Sequence, residues 1–401
     1  MRLPWLWLAL PATVVLLGGC PVATDDVAGD SLITAVAGIT ESGASNPDET
    51  TSKPPQSTAY AGSVAGSGDY RLIEIGAAAA GERWTVSDGS GLLSGSSFLV
   101  VLLDENFDLL QRQVVSSGAP LVHVVRADSP AVYLGVSNSY GRAGGEFRFS
   151  VRLEAGLSVP PPRRQVVWLN FDGETDLSVH GRDGISFAPF DAAMLGSQYD
   201  GATDAIKAAI VAAMRVDYAG YNVKIVSSDD GPPPDGAYAT VHFGGVDNRL
   251  LGLADSVDQY NADPYQHAII YVESFADFGV MNLSDDEMGQ MVGNVASHEF
   301  GHLLGLFHTQ VPADVMDTTG TAWDLAADQS FLRGELEESV FPFGYENSPK
   351  LLGRIVGTTG EKAEDLAKPL GTAKMMRKAA LRAMVRDTLR HRCGNCADPD
   401  D

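Results

Sequence analysis

His298-Glu299-Phe300-Gly301-His302-Leu303-Leu304-Gly305-Leu306-Phe307-His308 is the stretch that decides the fold and chemistry of this chain. Residues four apart on a helix share a face, so His298 and His302 can offer both imidazoles to one ion. Glu299 follows the first imidazole by about 100° around the axis, which lets it reach a water beside the ion rather than the ion itself. A continuing helix would carry residue 308 away from the other two. Gly305 can instead take a left-handed backbone as the helix ends and swing His308 back. Three neutral nitrogens around one open position describe a catalytic site for a single zinc ion.

Outward from this segment, Ser284-Asp285-Asp286-Glu287 reads as a capping box that starts the helix, with three acids suiting its dipole. Met288, Met291, Val292 and Val295 form the buried stripe. Further upstream, Gln165–Phe171, Tyr221–Val226, Ala237–Phe243 and Ala268–Glu273 read as strands, with a shorter one at Leu250–Ala254. Thr203 to about Tyr218 carries apolar residues at helical spacing. Strand, helix, strands, helix implies an α+β domain over 163–345 with a mixed sheet.

The motif resembles that of the metzincin clan of zinc metallopeptidases, and Asp314-Val315-Met316-Asp317 supplies a methionine where the clan's Met-turn is expected. The resemblance implies that Met316 forms an apolar floor beneath the ligands and that Gly305 turns the chain. It also implies an active-site helix beside a mixed sheet, and a smaller lower part after Gly305 with a helix near Trp323–Ser339. Some metzincin families place a tyrosine two residues past the methionine; here that position is Thr318, so the resemblance is matrixin-like. In such a fold an edge strand beside the cleft, for which Leu250–Ala254 is the candidate, could pair with an extended substrate.

The N-terminal half has a different texture. Short alternating runs between Tyr70 and Leu153 suggest a small β-sandwich of seven strands over 67–155, similar in pattern to the pre-peptidase domains of secreted bacterial proteases. Pro160-Pro161-Pro162 lies in a stiff linker, and 21–66, rich in Ser, Thr, Gly and Ala, reads as a flexible tether. Residues 1–20 read as an export signal, and Leu17-Gly18-Gly19-Cys20 resembles a bacterial lipobox. On that reading Cys20 is lipidated and anchors the protein to the cell envelope, at the outer membrane or cell surface. Cleavage near residue 160 would release the enzyme. Past residue 346 a basic helical tail is expected, holding eleven Lys or Arg against four acids between Lys350 and Arg392. Cys393 and Cys396 could pair, share a metal or stay free.

The net charge of −24 argues against a nucleic-acid partner, because phosphate binding needs a basic face. His180, His242 and His267 match no metal motif and read as separate polar or surface histidines. Asp229, Asp230, Asp235, Asp255 and Asp263 could contribute to calcium binding, with solvated loops as the default reading. The expected function is endopeptidase cleavage of extracytoplasmic proteins, with zinc and Glu299 activating a water. The alternatives are a zinc hydrolase of non-peptide or cell-wall amides, or a tethered binding protein with a vestigial zinc domain. Oligomeric state stays open.

Overall fold

Alternation of apolar and polar residues builds the first layers of the chain. In the computed structural model, which describes residues 56–359 apart from 67, 90–96, 117 and 139–143, eight strands form two antiparallel sheets. They are β1 (Gln56–Val64), β2 (Tyr70–Ala78), β3 (Arg83–Asp88), β4 (Phe98–Leu103), β5 (Leu109–Val115), β6 (Leu121–Val124), β7 (Ser129–Asn138) and β8 (Gly145–Glu154). One sheet runs β1-β8-β3-β6 and the other β2-β7-β4-β5. Between them Trp84, Val86, Val100, Leu102, Leu134 and Phe149 close a dry core. Strand β4 is buried at every position: Phe98, Val100 and Leu102 face that core, whereas Leu99, Val101 and Leu103 enter a second cluster with residues from the far end of the chain.

Strand β1 corrects the boundary of the expected tether, since Gln56–Val64 pairs with β8 along its whole length. Most of its side chains are small or polar, but the ladder satisfies the backbone groups that face β8, and burial of Tyr60 and Val64 helps to fix its register. Residues 1–55, with Cys20 and the export signal, lie outside the described residues, as do 360–401 with Cys393 and Cys396.

The second half centres on a five-stranded sheet of order β12-β9-β13-β15-β14. Its strands are β9 (Gln165–Asn170), β12 (Val223–Ser227), β13 (Ala239–Phe243), β14 (Gly252–Ala254) and β15 (His267–Ile270). All pairs are parallel except β14 with β15, so the sheet is mixed and β14 forms an antiparallel edge. A hairpin of β10 (Glu174–Val179) and β11 (Arg182–Phe187) follows β9. The hairpin escapes a sequence reading because few of its side chains are buried.

Two helices cover this sheet, α1 (Thr203–Asp217) and α2 (Asp285–Leu303). The capping box at Ser284 and Glu287 is formed. Met288, Met291, Val292 and Val295 are fully buried, each contributing roughly 1.5–3 kcal/mol by leaving water. Gly289 and Gly293 let the helices approach closely, since a Cβ on Gly293 would stand 2.6 Å from that of Ala213. At the end of α1, Tyr218 Oη donates to the Ser297 carbonyl at 2.8 Å, and Ser297 Oγ donates to Asp217 Oδ2 at 2.6 Å. These bonds pin α2 one residue before its first histidine.

Beyond α2 the chain forms a short helix α3 (Ala322–Leu325), a hairpin of β16 (Arg333–Glu335) and β17 (Tyr345–Asn347), and helix α4 (Ser348–Ile355). The helix expected near Trp323–Ser339 is therefore one turn only. Past Ala327 the backbone turns to other partners, with Ser330 N bonding Ala313 O and Leu332 N bonding Asp314. The basic tail also begins later than residue 346, because Leu351, Leu352 and Ile355 of α4 are buried in the main core. No helix among the described residues is long and apolar enough to cross a membrane.

Burial raises the Asp217 carboxyl to about 8, against about 3.9 when unfolded. The folded state binds this proton more tightly, so its stabilisation is full below about pH 4 and is lost as pH rises through 8. Asp217→Asn keeps an acceptor for Ser297 and removes the titration. Its urea midpoint should fall less than that of the wild type between pH 5 and pH 8, where Asp217 adds a slope of up to about 1.4 kcal/mol per pH unit. Equal slopes in the two proteins would refute this account.

Candidate metal centre

The three motif histidines converge. Each of His298, His302 and His308 offers one nitrogen, and these nitrogens all lie within 4.8 Å of one another. Among the described residues this is the one group of three or more His, Cys, Asp or Glu side chains placed to share an ion.

Local backbone physics explains how the third histidine arrives. Helix α2 ends in a Schellman motif, with Leu306 N bonding Gly301 O at 3.0 Å and Gly305 N bonding His302 O at 2.8 Å. Gly305 has φ +96°, and a Cβ there would stand 2.6 Å from the Asp258 carbonyl. Both the conformation and the space exclude a side chain. The turn sends Phe307 and His308 back under the helix.

The outer nitrogen of each imidazole is tied down. His298 Nδ1 donates to the Val315 carbonyl at 2.7 Å, His302 Nδ1 to the Leu306 carbonyl at 2.8 Å, and His308 Nδ1 to Glu337 Oε2 at 3.3 Å. Carbonyls and carboxylates only accept, so Nδ1 carries a proton in each ring, and a neutral ring then keeps its lone pair on Nε2. Burial pushes His298 down to about 4 and His308 well below the usual imidazole range, with His298 adding to the effect on His308. His298 and His308 are therefore neutral near pH 7.

His302 Nε2 and His308 Nε2 stand 3.1 Å apart. Two nitrogens on one tetrahedral zinc at about 2.0–2.1 Å lie about 3.3 Å apart. The spacing and the donor chemistry thus suit a shared zinc ion.

Glu299 is fully buried beside this group. The edge strand makes room for it, since a Cβ on Gly252 would come 2.5 Å from Glu299 Oε1. Met316 is also fully buried, and its sulfur packs against Gly301, between the first two histidines. Thr309 N bonds Met316 O at 2.9 Å. Asp314 accepts from Met316 N at 3.2 Å and Thr309 Oγ1 at 2.9 Å, and burial raises its carboxyl to about 6.

Other polar residues fall elsewhere. His242 is buried and bonds His267 at 3.0 Å and Asn170 at 3.1 Å, so these two histidines are paired rather than separate. His180 bonds Asp255 instead, and Asp255 also accepts from His267 N. Asp229 pairs with Lys207, and Asp263 accepts from Tyr265 N. Gly252 lies in the expected edge strand and Asp314 in the expected Met-turn, but their contacts with Glu299 and Thr309, and Glu337 altogether, were not anticipated. Glu337 lies 29 residues past His308 and no local pattern marks it.

The matrixin family model (Peptidase_M10) matches residues 231–328, which include β13, β14, β15, α2 and the Met316 turn. No curated protein matches the chain. Solved structures with some likeness include PliG of Aeromonas hydrophila, a periplasmic inhibitor of g-type lysozyme. It is 18% identical, with 26% of this chain and 91% of that one covered and a TM-score of 0.20. The Yersinia pseudotuberculosis-derived mitogen is 14% identical, with 25% and 87% covered and a TM-score of 0.20. Likenesses this slight bear on neither fold nor function.

Gly305→Ala should destabilise the protein by roughly 1–3 kcal/mol through backbone strain and should weaken zinc binding as well. Denaturation with and without zinc, together with zinc titration, checks both effects. Unchanged zinc affinity would mean that the turn does not hold His308. The matrixin match and the three-histidine cluster together support a metzincin-like zinc site and suggest a zinc metallopeptidase.

Proposed function

We propose that this protein is a zinc-dependent endopeptidase in which His298, His302 and His308 hold one zinc ion and Glu299 is the general base. The observation that carries the reading is the meeting of three Nδ1-anchored imidazoles beside a buried carboxylate.

A zinc ion bound there would lower the pKa of a water toward neutrality and polarise a substrate carbonyl. Glu299 would take the proton of the attacking water and pass it to the leaving amine. Its low-dielectric surroundings strengthen every charge interaction made during that transfer. Met316 would floor the site with a soft apolar contact. Strand β14, at the sheet edge and against Glu299, would pair with an extended substrate backbone. Proteins or peptides are the natural substrates of such an arrangement.

The motif at Leu17–Cys20 supports export of the chain and its lipid anchorage through Cys20. We place the enzyme at the cell envelope on that ground, with extracytoplasmic proteins as substrates.

Purified protein should contain about one zinc per chain and should digest an unstructured protein in a manner abolished by a chelator and restored by zinc. Glu299→Ala should retain the zinc and lose nearly all turnover, by at least about 100-fold, whereas His302→Ala should lose both. Wild-type turnover in Glu299→Ala would sink the mechanism. Absence of zinc binding in the wild type would sink the whole reading.

A further inference from the structure

The third histidine differs from the first two in where its support comes from. His298 and His302 are carried by α2 and bond to nearby carbonyls, but His308 lies beyond the helix and leans on Glu337. Glu337 belongs to a turn that reaches the β-sandwich. Ser339 Oγ donates to Glu337 Oε2 at 2.7 Å, fixing the same carboxylate oxygen that receives His308. The backbone closes the unit from both sides, with Glu337 N bonding His308 O at 3.1 Å and Val340 N bonding Glu337 O at 2.9 Å.

Arg112, on β5 of the sandwich, grips this turn. Its Nε donates to the Val340 carbonyl at 2.9 Å and a terminal nitrogen donates to the Ser339 carbonyl at 3.2 Å. Its guanidinium also stands 5.6 Å from the centre of the Phe307 ring. Arg112 itself is held through its backbone, which exchanges two hydrogen bonds with the Gln259 side chain at 2.8 and 2.7 Å. Apolar packing completes the junction. Phe307, Val340 and Phe341 share one buried cluster with Leu99, Val101 and Leu103 of β4. Gly135 on β7 leaves the space that Phe341 fills, since a Cβ there would lie 2.8 Å from that ring.

We infer that the β-sandwich is part of the metal centre: Arg112 and Glu337 are positioning residues that aim the third imidazole. The inference rests on the zinc reading given above and adds a second half of the protein to it. A carboxylate on the outer nitrogen of a ligating histidine fixes its tautomer and orientation, and losing such a partner typically weakens metal affinity by about 10–100-fold. Here the carboxylate is only as well placed as the turn that carries it, and Arg112 holds that turn from the other layer.

The test measures zinc affinity of the full chain by competition with a chelator, and the visible spectrum of the cobalt(II) form, which reports ligand geometry. Glu337→Ala and Arg112→Met should each weaken zinc binding about tenfold or more and alter the cobalt bands while near-ultraviolet circular dichroism stays native. Glu337→Gln, which keeps an acceptor oxygen, should recover part of the loss. Arg112→Lys, a gentler change should the Met variant fail to fold, should fall between wild type and Glu337→Ala. The double variant should bind no worse than Glu337→Ala alone, since both residues act through one carboxylate. Wild-type affinity and spectrum in folded Arg112→Met or Arg112→Lys would overturn the inference, as would additive losses. A wild-type chain that binds no zinc would overturn the underlying zinc reading instead.

Discussion

Three imidazoles can share one ion only if their lone pairs point inward, and every support around this centre serves that constraint. Helix spacing alone aligns His298 with His302. The third ring needs a reversal of the chain, which Gly305 provides at φ +96° against the Asp258 carbonyl. The reversal in turn needs the Schellman bonds to Gly301 and His302. Anchoring each Nδ1 on an oxygen then fixes the orientation of all three rings and turns each Nε2 toward the others.

The rest of the fold holds the ends of this arrangement still. Tyr218 and Asp217 fasten α2 from the side of α1, and Asp314 ties Met316 to Thr309 just past the last histidine. At the far end, the loop before β5 meets the C-terminal elements through buried charges. Asp108 accepts from Arg333 at 2.6 Å, Asn347 at 2.8 Å and Lys350 at 3.1 Å, and Lys350 also pairs with Asp104. Burial pushes the Asp108 carboxyl up, but those three hydrogen bonds outweigh it and hold it below the usual carboxylate range. Arg333 and Lys350 stay partly exposed, so losing either would weaken this clasp while the remaining donors still hold Asp108.

Much of this was legible in the chain, for identifiable reasons. The His298–His308 spacing, the Ser284 capping box and the apolar stripe of α2 are local patterns, and local patterns survive without a structure. The mixed sheet and its short antiparallel edge near Leu250–Ala254 could also be read. The hairpin β10–β11 and strand β1 could not, because their pairing rather than their apolar content holds them. The supposed helix after Trp323 followed a pattern that the long-range bonds of Ser330 and Leu332 override. One signal was present and unused. Phe98-Leu99-Val100-Val101-Leu102-Leu103 has no polar residue, which marks a strand covered on both faces. A free-standing sandwich would have left Leu99, Val101 and Leu103 in water.

The clasp between Asp104, Asp108 and Lys350 joins positions 246 and 242 apart in the chain. Such distant pairings are slow to form, because a long loop must close before any contact rewards it. As the polypeptide emerges from the ribosome, the outer face of β4 stays uncovered until the residues around Phe341 and Lys350 have been made. Biosynthesis therefore sets a clock on this protein: the site assembles late, and the uncovered apolar face of β4 is the point at which a stalled or truncated product would aggregate.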